Sequence, residues 1–252
     1  MWEFGVVILA GLAAGAINAV VGSGTLVTFP VLIALGYPPV VATMSNAIGL
    51  VAGGVSGAWG YRREIAAQKA VVMALLPASA LGALTGSFLL LSLPDDTFEI
   101  VVPVLLAAAL VLVVVQPRLQ RWVANRRADT ARTISPTLVV TVYLVGVYGG
   151  YFAAAQGVLL MGVLGILLAQ DLQLSNGLKN LLVGVVNLLA AMAYTFVAFD
   201  RIAWTAAGGI AAGALVGGWL GAKYGRKLNA TWLRAVIVVL GLTALVRILT
   251  TG

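Results

Sequence analysis

Apolar residues come in runs along this chain, at 4–21, 25–36, 40–61, 70–93 and 97–115, and again at 136–155, 157–169, 177–199, 203–222 and 232–249. In order, the lengths are long, short, long, long, long, twice over. At a rise of about 1.5 Å per residue, roughly 20 residues of helix cross a hydrocarbon core of about 30 Å, whereas barrel strands would show about ten-residue alternating segments. The pattern predicts an all-α membrane protein of two halves. Each half is a broken-helix hairpin, one long and one short helix, followed by three transmembrane helices. The halves occupy residues 1–115 and 136–252, and a polar basic linker, "QPRLQRWVANRRADTARTIS" at 116–135, joins them.

The fourth run of each half also repeats in letters, "GALTGSFL" at 82–89 and "GALVGGWL" at 213–220. Small residues at this spacing serve close helix packing in any membrane protein, but their shared place in the order predicts a duplicated unit. Charge then orients the halves. Arg62, Arg63 and Lys69, the linker residues Arg118, Arg121, Arg126, Arg127 and Arg132, and Lys223, Arg226, Lys227 and Arg234 all flank apolar runs, which places those stretches in the cytoplasm. The acidic turn "SLPDDTFE", with Asp95, Asp96 and Glu99, falls outside. Threading the chain through these assignments turns the opening pair of each half into a hairpin. With three crossings after it, the second half is inverted relative to the first, and both termini lie outside. Arg201 and Arg247 are the exceptions, basic residues on the external side.

The short runs are the informative ones. Residues 25–36 give roughly 18 Å of helix, too little to span, so the helix must start inside the membrane. Broken backbone at that depth is tolerated only when it is buried in protein or lines a polar cavity. The first break reads "GSGTLVTFP" (22–30) and the second "AAAQGVLLM" (153–161). A helix that begins there presents free N–H groups and its positive dipole end, which together make an anion site. The amides of Gly22, Ser23, Gly24 and Thr25, facing those of Gln156, Gly157 and Val158, are the candidate cradle; a plain packing kink is the alternative. "ATMSNAIG" places Ser45 and Asn46 just inside the third run, and "LSNGLKNLL" places Lys179 and Asn180 at the corresponding point of its mate. Lys179 has apolar sequence on both sides. It meets an anion in the pocket, snorkels to the surface, or pairs with Asp171. Asn18 lies one turn before the first break, and Asn187 is read as a helix–helix contact.

Composition narrows the chemistry further. Of the 252 residues 62% are hydrophobic and 9% charged, and there is neither cysteine nor histidine. Thiol, disulfide, haem and most metal chemistry are thereby unexpected, as is any cofactor. No carboxylate pair interrupts an apolar run, and "GSG" lacks the strand, helix and lysine of a nucleotide loop, so the chain is not expected to be an enzyme. The net charge of +7 sits beside membrane runs, where it anchors orientation and can meet anionic lipid, and does not point to nucleic acid.

The stretch "GLAAGAINAVVGSGTLVTFPVLIALGYPPVVATMSNAIGLVAGGVSGAWGY" (11–61), with "GALVGGWLGAKYGRKL" (213–228), resembles the sulfite exporter TauE/SafE family over nearly the whole chain. The resemblance implies a multi-pass permease of a prokaryotic inner membrane whose relatives handle sulfite, sulfonates or related small organic anions. Two stretches depart from the pattern: "AAQGV" (154–158) stands where relatives repeat a glycine cluster, and "NGLKN" (176–180) replaces a second Thr-Ser-type element. The expected function is an alternating-access transporter of a small anion, in the lipid bilayer, with a second copy of the chain as a candidate partner. An anion channel and a non-transporting scaffold subunit are the alternatives.

Overall fold

The structure, a computed structural model, describes residues 2–126, 134–168, 170–225 and 230–251. Arg127, Arg132, Arg226 and Lys227 of the basic flanks lie outside the described residues. The described residues are helical, and the ten apolar runs appear as ten helices in the expected order. In the first half these are α1 (Trp2–Val20), α2 (Thr25–Ala34), α3 (Pro39–Gly60), α5 (Lys69–Ser92) and α6 (Asp95–Arg126), with a short extra turn, α4 (Arg62–Ala66), between α3 and α5. The second half contains α7 (Pro136–Tyr151), α8 (Gln156–Leu167), α9 (Leu172–Val197), α10 (Trp204–Tyr224) and α11 (Ala230–Thr251), with a 3-10 turn at Phe199–Arg201. Among the described residues, seven helices are long and apolar enough to cross a membrane, while α2, α7 and α8 are apolar but shorter. Large apolar side chains such as Leu9, Met73, Phe88, Ile100, Phe196 and Val239 stand outward and more than 60% exposed, which suits lipid and not water.

Two boundaries differ from the sequence expectation. Helix α6 does not stop at 115 but runs through the first eleven residues of the basic linker to Arg126. Pro117 removes one helical hydrogen bond, yet Gln116 is buried at 2% exposure and Leu119 lies against Gly162 of α8, so packing on both sides of the proline carries the helix onward. Helix α7 ends earlier than expected, at Tyr151, because Ala153 (φ 64°) and Ala155 (φ 57°) turn the chain through the left-handed region before α8.

The halves interleave. The opening helix of each packs on the fourth run of the other, α1 on α10 and α7 on α5. Further contacts between the halves follow the same exchange: α3 with α10 and α9 with α5, α2 with α11 and α8 with α6, while α3 meets α9 and α6 meets α11. The correspondence extends to single glycines. Gly11 lies against Ile210 and Gly15 against Ala214, as Gly146 lies against Ser79 and Gly150 against Ala83. Gly213 and Gly217 meet the backbone of Ile8 and Leu12, as Gly82 and Gly86 meet that of Tyr143 and Val147. The two repeated stretches therefore perform one task, bringing helix backbones together where any side chain would hold them apart.

Beyond these matched contacts the opening helices differ in length. Helix α1 continues five residues past Gly15, to Val20, while α7 continues one past Gly150, to Tyr151. The first half thus carries an extra turn just before its break.

Candidate site at the two helix breaks

The two breaks touch. The Gly157 amide donates to the Gly22 carbonyl at 2.9 Å, and a Cβ placed on Gly22 would lie 2.6 Å from the Gly157 Cα. Gly22 also has φ 87°, so glycine is needed there for both conformation and approach. On the α2 side of this contact, Asn46 of α3 fixes the helix start. Its Nδ2 donates to Thr25 Oγ1 at 3.1 Å, and its Oδ1 accepts from Thr28 Oγ1. Asn18 Oδ1 in turn accepts from the Gly24 amide at 3.4 Å.

The extra turn of α1 ends inside the protein, and α9 meets its last carbonyls. Lys179 is 0% exposed, and its Nζ donates to the carbonyls of Asn18 (3.0 Å) and Ala19 (3.1 Å). Asn180 Nδ2 donates to Ala19 O at 3.3 Å and to Asn176 O at 3.0 Å. Gln116 Nε2 donates to Val21 O at 3.3 Å, and Arg234 Nε donates to Gln116 Oε1 at 3.3 Å. A cation at a helix C-terminus complements the negative dipole end. Lys179 therefore neither snorkels to the surface nor pairs with Asp171. The end of α7 is capped from the same helix by a neutral group, the hydroxyl of Tyr194, which donates to Gly150 O.

Several polar groups remain open. A lysine ammonium has three donors, and two are used here. Among the described residues the one ion pair joins Arg201 to Asp95, so Lys179 has no carboxylate partner. Ser23 Oγ and both amide atoms of Gln156, each about 1% exposed, lack hydrogen-bond partners. At the second break the amides of Gln156, Gly157 and Val158 already donate to the carbonyls of Ala153, Gly22 and Ala155. The donor left there is the Gln156 side chain, which lies against Gly149.

The structure thus brings together Gly22, Ser23, Gly24, Thr25, Asn46, Gly157, Lys179 and Asn180, with Gln156 and Val158 on the α8 side. Ser45 points elsewhere: its Oγ accepts from the Ala203 amide at 2.9 Å, at the start of α10. Sequence reasoning missed Thr28 and Gln116. Thr28 sits one helical turn past Thr25 on the same face, a readable signal. Gln116 was masked by its place beside Pro117 at the head of a basic stretch. The two arginines that the charge rule leaves as exceptions also acquire partners, Arg201 in Asp95 and Arg247 in the Ala34 carbonyl at the end of α2, at 2.7 Å.

Around the two helix starts there are thus a buried lysine without a carboxylate partner among the described residues, a hydroxyl and an amide side chain without partners. The chain is 26% identical over 230 residues to a probable membrane transporter protein of Haemophilus influenzae, covering 91% of this chain and 88% of that one. It is 25% identical over 244 residues to probable membrane transporter protein ORF9 of a Sinorhizobium species (96% and 90%), and 24% identical over 224 residues to probable membrane transporter protein YfcA of Escherichia coli (89% and 80%). No solved structure matches it. The family model described as sulfite exporter TauE/SafE matches residues 7–248, nearly the whole chain, and the protein therefore belongs to that family of multi-pass membrane transporters.

Proposed function

We propose that the protein carries a small anion, a sulfur oxyanion such as sulfite or an organosulfonate, across the inner membrane of a prokaryote by alternating access, with the anion held beside the contact of the two helix breaks, next to Lys179. The observation that carries the reading is Lys179, fully buried, without a carboxylate among the described residues, and with a donor to spare. A buried charge needs a counter-charge, and a mobile anion is one that can arrive and leave. Ser23 and Gln156 supply further hydrogen bonds from the two sides. The matched contacts of the two halves support an inverted pair of repeats that rock about the breaks.

The test is sulfite flux into proteoliposomes by wild type and Lys179→Met, which keeps the apolar stem and removes the charge. Loss of one charge-assisted contact should lower uptake by about tenfold or more, and remove the sulfite-induced rise in thermal stability. Sulfite flux that saturates normally in Lys179→Met excludes the lysine from the site. Wild-type flux that does not saturate marks a channel, and no flux with any small anion marks a scaffold.

A further inference from the structure

Open hydrogen-bonding atoms are not spread evenly through the buried interior. Where α9 begins, four amide side chains gather, each with an atom that has no partner: Gln68 Oε1, Gln170 Nε2, Gln173 Oε1 and Asn176 Oδ1. Gln68 comes from the turn between α4 and α5, and its Nε2 donates to Leu174 O at 2.7 Å, which fixes it to the first turn of α9. Gln68, Gln170 and Asn176 are 7%, 4% and 9% exposed, so bulk water does not explain their open valences. Such groups, buried this far, are met by bound water or by a ligand.

Their placement is directional. At about 100° per residue, positions 173, 176 and 180 of α9 fall on one helical face, a ladder of amides leading to Asn180 beside Lys179 at the breaks. The chain that carries Gln68 to the outer end of this ladder brings Arg62, Arg63 and Lys69 to the same end of the bundle, where Glu64 and Asp171 also stand, a net positive set. A net positive charge at one end of a low-dielectric bundle favours the approach of anions to that end. One turn beyond Asn180 the helices close. Gly184 meets Gly54 of α3 so tightly that a Cβ on Gly54 would lie 2.9 Å from the Gly184 Cα.

We propose that the anion reaches the breaks from the end of the bundle where α9 begins, along the α9 face of Gln173, Asn176 and Asn180, and that the structure is shut from the opposite end where Gly54 meets Gly184. Amides suit such a path. They donate to a passing oxyanion but carry no charge that would hold it. The route rests on the anion-transport reading and adds the side and the surface of entry.

The chain has no cysteine, so single cysteines can be read without background. Asn176→Cys and Gln173→Cys, with Arg63→Cys as the marker of that end and Met192→Cys on the lipid-facing side of α9 as control, are treated in oriented membrane vesicles with a membrane-impermeant, sulfonate-bearing methanethiosulfonate. Reaction needs a thiolate in water, so the two ladder positions should label at least about tenfold faster than Met192→Cys, from the side that labels Arg63→Cys. Saturating taurine or a simple alkyl sulfonate, which unlike sulfite do not consume a methanethiosulfonate, should slow the labelling of Asn176→Cys and leave that of Arg63→Cys unchanged. Labelling no faster than the control at both ladder positions, labelling only from the opposite side, or labelling that no anion slows overturns the route. If wild type still moves anion in that case, transport stands and only the path is wrong; if wild type moves none, both readings fall together.

Discussion

Among the described residues two glycines have left-handed backbone, and only one is crowded. Gly22 has φ 87° with the Gly157 backbone against it, while Gly36 has φ 90° with nothing within 4 Å of the point where a Cβ would stand. Gly36→Ala should cost only the backbone strain, about 1–2 kcal/mol, whereas Gly22→Ala adds a steric clash worth about 1–3 kcal/mol more. Thermal unfolding of the two variants in detergent measures the difference; equal losses would mean that the breaks do not touch. At this scale the sequence was partly legible. The glycines, Asn46, Lys179 and Asn180 stood out because polar or flexible groups are costly in a membrane. The partners of Lys179 were not legible, since the carbonyls that receive it belong to Asn18 and Ala19, about 160 residues away, and every residue has a carbonyl. Ser45 was misplaced for a similar reason. It adjoins Asn46, but neighbours on a helix point about 100° apart, and its hydroxyl serves α10.

Whole helices were easier to read than their ends. Length and hydropathy identify a helix, but the linker side of α6 is decided by Gln116 and Leu119 packing across a proline, which periodicity does not report. The repeated "GALTGSFL" and "GALVGGWL" were legible as a duplication. Their partners were not, because nothing in either half shows that α5 packs on α7 and α10 on α1. That exchange makes a direct expectation. Gly15→Ala and Gly150→Ala occupy matched contacts, where a Cβ would lie 2.4 and 2.2 Å from the Ala214 and Ala83 carbonyls, so they should destabilise by similar amounts, about 1–3 kcal/mol each. Gly208→Ala, in α10 with open space around it, should be neutral or stabilising by up to about 1 kcal/mol. Midpoints of thermal unfolding compare the three, and a large gap between the first two would break the correspondence of the halves.

For the molecule as a whole, the basic residues of the α3–α5 turn and the Asp95–Arg201 pair define opposite ends by the charge rule. A cysteine at Asp96 should label from outside intact cells with an impermeant thiol reagent, and one at Arg63 only after the membrane is opened; the reverse pattern would turn the protein over. The pair itself is exposed at both partners, 40% and 53%, so its contribution to stability is small, about 0–1 kcal/mol, and its value is as a marker of that end.

The extra turn of α1 bears on kinetics. A carrier with two equivalent half-sites would present the same affinity to either compartment. Here the opening helix of one half ends in a lysine cap and that of the other in a tyrosine cap, so on the proposed alternating access the inward-open and outward-open forms would offer different surroundings to the same anion. For a carrier without a coupling ion, at zero membrane potential, detailed balance holds the ratio Vmax/KM equal in the two directions, so any inequality in KM must be matched by one in Vmax. Zero-trans influx and efflux should therefore differ in both constants while sharing their quotient, and replacing Lys179 with methionine should draw the two KM values together.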